Sequence, residues 1–343
     1  MHTAAAWAAG LLTLAASVTA ARADVQVVAS IKPVHSLVAG VMKGVAEPTL
    51  IVDGAASPHT YSLKPSQAAA IEKADVVFWV GHELEAFLEK PLETLGSKAQ
   101  SVELIDASSL VKFEVREGEA FEAHAHDDDH HDEKKAEAKH GHGHGKHDDH
   151  HAEKKKTGHD DDHGHGHGHD AADAHIWLDP KNAIALVAEI KSTLIKADAA
   201  NAAKYEANAK ELTDRLNSLI TEIDSAVKPI RGKRFVVFHD AYQYFEKRFG
   251  LQATGSVTVS PEVMPGARRI NELRGKVKKL GVACVFSEPQ FEPKLVSTVT
   301  EGTPAKSGVL DPLGASLQGG PDLYFALVRN MASSFRSCLS QAS

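Results

Sequence analysis

The chain has 343 residues, 43% of them apolar and 24% charged, with two cysteines and a formal net charge of −8. That length exceeds one core of ordinary size, so two domains of about 100 to 150 residues are expected. The charge is uneven: residues 117–173 carry 17 acidic against 7 basic side chains, which leaves the remainder near +2, and no basic stripe of the kind that binds nucleic acid is present.

The N-terminus runs through Leu11, Leu12, Leu14 and Val18 in an alanine-rich block to Ala21-Arg22-Ala23. This pattern predicts a secretory signal peptide over 1–23, although no Lys or Arg precedes the apolar block. The block is shorter than the ~20 residues a membrane span requires, so the mature chain from Asp24 is expected to be exported and soluble.

From there short apolar runs alternate with helical stretches. Strands are expected at Val25–Ser30, Thr49–Val52 and Val76–Val80, and helices near His35–Lys43 and over Pro65–Lys73. Residues 117–173 contain almost no apolar side chains and are expected to form a disordered loop, because they cannot bury enough surface to offset the entropy of ordering. Fifteen of the 21 histidines lie there, several alternating with glycine as in His163-Gly-His165-Gly-His167-Gly-His169. Imidazoles on so flexible a backbone can converge on zinc, copper or nickel, which makes the loop a metal-attracting segment without selectivity.

After the loop, Asn182–Ile230 has helical spacing. Its second part, from about Ala202, is rich in good helix formers and predicts one long helix whose stiffness limits hinge opening. Further strands are expected at Phe235–Phe238, Thr254–Val259 and Cys284–Phe286. Tyr242–Phe249, Gly266–Leu280, Lys294–Val299 and a last segment near Leu323–Leu339 read as helices. This alternation predicts an α/β fold with parallel-type sheets: a first lobe over 24–201, a linker helix over 202–230 and a second lobe over 231–343. Export favours a disulfide between Cys284 and Cys338; two core thiols remain an alternative, and two isolated thiols without CxxC spacing support a metal site poorly.

Only His35, His59, His82, His175 and His239 lie outside the leader and the tail. His59 follows the Leu50-Ile51-Val52 strand across a loop, His239 directly follows Phe235–Phe238, and Asp311 follows Val309-Leu310 and precedes Pro312. Residues at the carboxyl ends of parallel strands meet in clefts, so His59, His239 and Asp311, with His175 where the His-rich segment rejoins the fold, are candidate metal ligands. Three imidazoles and a carboxylate suit four-coordinate zinc and disfavour calcium and magnesium. His35 is expected to cap or face solvent, His82 to enter a helix, and Glu288 to support a ligating imidazole. The separations of 116 and 64 residues between His59, His175 and His239 are too long for any local metal motif.

Several segments resemble the ZnuA family of periplasmic zinc-binding proteins that serve bacterial ABC uptake systems: Gly54-Ala-Ala-Ser-Pro-His59-Thr-Tyr61, His175-Ile-Trp-Leu-Asp-Pro180, Phe238-His239-Asp-Ala-Tyr-Gln-Tyr-Phe245, Pro261-Glu-Val-Met-Pro265-Gly-Ala, Phe286-Ser-Glu288-Pro-Gln-Phe291 and Leu310-Asp311-Pro-Leu-Gly314. The resemblance spans nearly the whole mature chain. It implies two α/β lobes joined by a single long helix with the metal between them, ligands at His59, His175 and His239, and the C-terminal carboxylate position at Asp311. It further implies a Cys284–Cys338 disulfide, a periplasmic location, and delivery of Zn2+ by a monomer to a membrane ABC permease. Manganese-binding relatives place a carboxylate where this chain has His239, so that residue favours zinc. Pro58 departs from zinc members that carry an acidic residue there, which leaves the fourth ligand open between Asp311, water, or both in exchange.

The function expected is high-affinity zinc capture, not catalysis. A zinc hydrolase needs an open coordination position and a general base, and no HExxH or comparable motif occurs. A zinc buffer or chaperone without a permease, or an adhesin-like relative, has no sequence signature that separates it from a transport component.

Overall fold

A computed structural model describes residues 24–116, 121, 172–258, 265–292 and 294–340. The signal segment 1–23 and all but the margins of the His-rich segment lie outside the described residues, as does most of the Pro261–Pro265 motif. The first half is built from β1 (Val27–Ile31), α1 (Lys32–Met42), β2 (Thr49–Val52), α2 (Pro65–Lys73), β3 (Val76–Trp79), α3 (His82–Thr94) and β4 (Gln100–Glu103). Two helices follow, α4 (Pro180–Ala197) and α5 (Ala202–Val227). The second half contains β5 (Phe235–Val237), α6 (Gln243–Phe249), β6 (Ala253–Ser256), α7 (Ala267–Leu280), β7 (Cys284–Ser287), α8 (Lys294–Thr300), β8 (Lys306–Val309) and α9 (Leu323–Leu339).

The strands form two four-stranded sheets of the same topology, β2-β1-β3-β4 and β6-β5-β7-β8, with every pairing parallel. The α/β expectation holds. In each sheet the connection reverses direction between the first and third strands in chain order, and that switch point is where α/β sheets place their ligands.

The long helical region is two helices. Asp198 ends α4 with a non-helical φ of −140°, and its carboxylate takes hydrogen bonds from Asn201 and from the Tyr205 hydroxyl (2.7 and 2.9 Å), which secures the start of α5. α5 spans 26 residues, about 39 Å at 1.5 Å per residue. Tyr205, Ala209, Leu212, Leu216, Leu219, Ile223 and Val227 form its buried stripe. α1, α4 and α9 all pack against this helix, which joins the two lobes. Gly40 of α1 lets Leu212 in, since a Cβ there would stand 2.6 Å from Leu212 Cδ1. α9 returns over α1 and α5, and its end is tied to β7 by a Cys284–Cys338 disulfide. The first sheet, α5, α9 and one face of the second sheet share one continuous apolar core.

Several boundaries differ from the sequence reading for local reasons. α1 begins at Lys32, not near His35, because Pro33 in the first turn needs no N–H partner there. β4 was not anticipated: it is an edge strand with Val102 as its one fully buried side chain, so it carries no apolar run. Among the described residues, no helix is long and apolar enough to cross a membrane.

Glu85 is fully buried at the switch point of the first sheet, where it accepts backbone N–H bonds from Val80 and Gly81 (2.9 and 3.1 Å). Burial pushes its carboxyl up to about 7 against the pull of these bonds and of Ser30. The folded protein therefore holds this proton more tightly than the unfolded chain does. The stability it contributes is complete below the ordinary carboxylate range and is lost as pH rises through about 7, a change of about 3 kcal/mol. Urea unfolding with a chelator present should show Glu85→Gln losing about 3 kcal/mol less than the wild type between pH 5 and 8; parallel pH profiles would overturn the assignment.

Candidate metal centre

Three imidazoles from distant parts of the chain meet between the lobes. His59 sits in a short 3-10 turn, Pro58–Thr60, at the end of the loop after β2. His175 precedes a second such turn, Ile176–Leu178, and His239 lies two residues beyond β5, at the switch point of the second sheet. Their ring centroids are 5.2 to 5.8 Å apart, and one ligand nitrogen from each lies within 4.8 Å of the others. His175 and His239 are buried and His59 is half-buried.

Two carboxylates decide which nitrogens face the centre. Asp173 Oδ1 accepts from both the backbone N–H and Nδ1 of His175 (3.0 and 2.8 Å). Glu288, one residue past β7, accepts from His239 Nδ1 at 2.8 Å. Because each carboxylate only accepts, both rings carry a proton on Nδ1, which leaves Nε2 as the free acceptor of each neutral ring. Those two Nε2 atoms stand 3.3 Å apart. At that distance the two nitrogens can share a proton, one ring being protonated, or a metal cation. A tetrahedral ion with Zn–N bonds of 2.0–2.1 Å separates neighbouring nitrogens by about 3.3–3.4 Å.

The surrounding field divides the three rings. Burial lowers the pKa of His59, and the neighbouring His175 and His239 lower it further. Burial also opposes charge on His239, but the adjoining Glu288 carboxylate outweighs it and the pKa is raised.

Asp311 is not part of this group. Its Oδ1 accepts from the backbone N–H groups of Leu313 and Gly314 and from Gln290 Nε2 (3.1, 2.9 and 3.2 Å), while Oδ2 accepts from the N–H of Ala315 at 2.6 Å. The carboxylate thus closes its own loop instead of converging with the histidines. His35 bonds the Pro48 carbonyl at 2.9 Å and His82 pairs with Glu83 in solvent, so neither approaches the centre. Glu288 has the supporting contact expected of it. Asp173, assigned from sequence to the disordered loop, is buried and orients His175; the Asp-x-His spacing was its only signal.

A dense set of bonds holds the histidine-bearing segments to each other across the lobes. The two margins of the His-rich segment pair through Glu114 and Ala172, and Gln243 and Tyr244 of α6 bind that stem at Glu114 O, Asp173 Oδ2 and Asp173 O. Arg248 makes a two-bond pair with Asp179 (2.7 Å each). Arg116 bonds both Asp240, adjacent to His239, and Glu246.

Comparison with known proteins places this arrangement among relatives. The family profile ZnuA, zinc-uptake complex component A periplasmic, matches residues 27–338. The high-affinity zinc uptake system protein ZnuA of Brucella suis biovar 1 is 58% identical over 315 residues, 92% of each chain. Its namesake from Yersinia pestis is 34% identical over 330 residues, again 92% of each. The crystal structure of a ZnuA superposes with a TM-score of 0.67 at 21% identity, covering 91% of this chain and all of that one, which is a likeness of fold.

Removing Arg116 leaves Asp240 and Glu246 as uncompensated, largely buried charges. Arg116→Met is expected to cost about 3 kcal/mol or more in urea unfolding; an unchanged midpoint would show that the network carries no stability.

Proposed function

We propose that this chain, which belongs to the ZnuA family of periplasmic zinc-uptake components, captures Zn2+ through His59, His175 and His239 and passes it to a membrane ABC permease. The observation that carries this reading is the convergence of the three imidazoles, one ligand nitrogen from each lying within 4.8 Å of the others. With both Nδ1 protons committed to carboxylates, the Nε2 atoms of the buried rings are the ones available to a metal. Three nitrogen donors disfavour calcium and magnesium, which take oxygen, and tetrahedral nitrogen coordination suits zinc.

The division of labour follows from placement. The His-rich segment leaves and re-enters the fold at the stem formed by Glu114 and Ala172, and Asp173 at its far end bonds His175. We infer that this shared stem lets zinc gathered weakly by the segment's histidines pass to the tight site. Deleting 122–171, which spares both Arg116 and Asp173, should lower the number of zinc ions bound per chain in metal analysis yet retain one tight site; loss of that site would end the division proposed here.

Zinc must compete with protons for the same nitrogens. Since Glu288 raises the pKa of His239, competition there begins at higher pH than at an ordinary imidazole. Zinc affinity measured by chelator competition should fall about tenfold or more from pH 7.5 to 5.5, and His59→Ala should weaken it by about a hundredfold or more. Affinity that ignores both changes would refute the three-histidine site.

A further inference from the structure

Gln290 lines the same cleft as His59, His175 and His239. Its Nε2 donates to Asp311 Oδ1 at 3.2 Å. Because a carboxylate can only accept, this bond fixes which end of the amide is which and turns Oε1 away from Asp311. That oxygen is buried and meets no hydrogen-bond donor among the described residues. A buried acceptor left without a donor is costly, and native structures rarely keep one without reason. Asp311 is in turn held by three backbone N–H groups of its own loop, so it presents Gln290 rigidly.

An ion on three imidazoles has a fourth tetrahedral position. A water there has protons to donate and needs an acceptor. We propose that Gln290 is a positioning residue for this fourth ligand: its Oε1 accepts a hydrogen bond from metal-bound water, and Asp311 acts through Gln290 instead of touching the ion. The inference rests on the three-histidine reading, deepens it, and explains together the unsatisfied amide oxygen and the absence of Asp311 from the converging group.

The test uses the mature full-length protein loaded with one equivalent of Co2+, whose four-coordinate complexes absorb visible light far more strongly than six-coordinate ones, so that the band reports the buried site. Azide is then titrated in. It replaces bound water but brings no proton, so in the wild type its binding strands Gln290 Oε1. In Gln290→Leu that penalty is gone. Azide should therefore bind the cobalt form of Gln290→Leu about tenfold more tightly than the wild type, although the variant holds zinc about tenfold more weakly. A merely structural role would weaken metal binding without improving azide binding. Gln290→Met, which keeps the side-chain length, should behave alike, and Asp311→Ala should retain the visible band. Wild-type spectra indifferent to azide, azide affinity in both Gln290 variants no higher than in the wild type, or loss of the band in Asp311→Ala would overturn the proposal. Failure of the underlying reading shows separately, as a visible band that survives in His59→Ala.

Discussion

Two carboxylates that hold His175 and His239 by their Nδ1 atoms, leaving the Nε2 atoms 3.3 Å apart in the interior, are the contacts on which the rest of this structure depends. Each ring is fixed by a carboxylate on its far side, Asp173 in one case and Glu288 in the other. The acceptors choose the tautomer and the backbone chooses the direction. Metal taken up there must displace any proton shared between the two Nε2 atoms, so binding is coupled to proton release.

Holding such a centre requires that the two lobes not drift apart. α5 provides a continuous span, and α9 doubles back over it, with its backbone N–H at Tyr324 bonded to Ser36 of α1 and the Tyr324 hydroxyl bonded to the carbonyl of Trp177. Trp177 in turn donates to the carbonyl of Pro312. Lys32, buried at the start of α1, reaches the carbonyls of Ala315 and Leu317 beyond Asp311. Of these residues, Trp177 and Pro312 line the same cleft as the histidines.

The two sheets repeat one topology but use their switch points differently. In the first, Glu85 turns its carboxylate back onto the backbone N–H groups of Val80 and Gly81. In the second, Glu288 faces outward to His239. A buried carboxylate six residues past β3 thus closes the first lobe upon itself, whereas one placed directly after β7 orients a histidine of the metal centre.

Much of the fold was legible in the chain. Thr49–Val52, Pro65–Lys73 and Leu323–Leu339 agree with their predicted limits because apolar periodicity and flanking breakers are local properties. The same holds for the long helix from Ala202. Histidine scarcity outside the His-rich segment reduced the site search to five residues; strand-end placement picked out His59 and His239, which do converge, and Asp311, which does not, while His175 was found from where the His-rich segment rejoins the fold. Only the tertiary structure decided how their rings point, that Asp173 is ordered and bonded to His175, that Gln290 faces the cleft, and that Asp311 spends its carboxylate on its own loop. Those outcomes depend on side-chain direction and on partners far along the chain, 288 residues apart for Ser36 and Tyr324, and a sequence carries periodicity along the chain but no record of which distant groups compete for the same hydrogen bond.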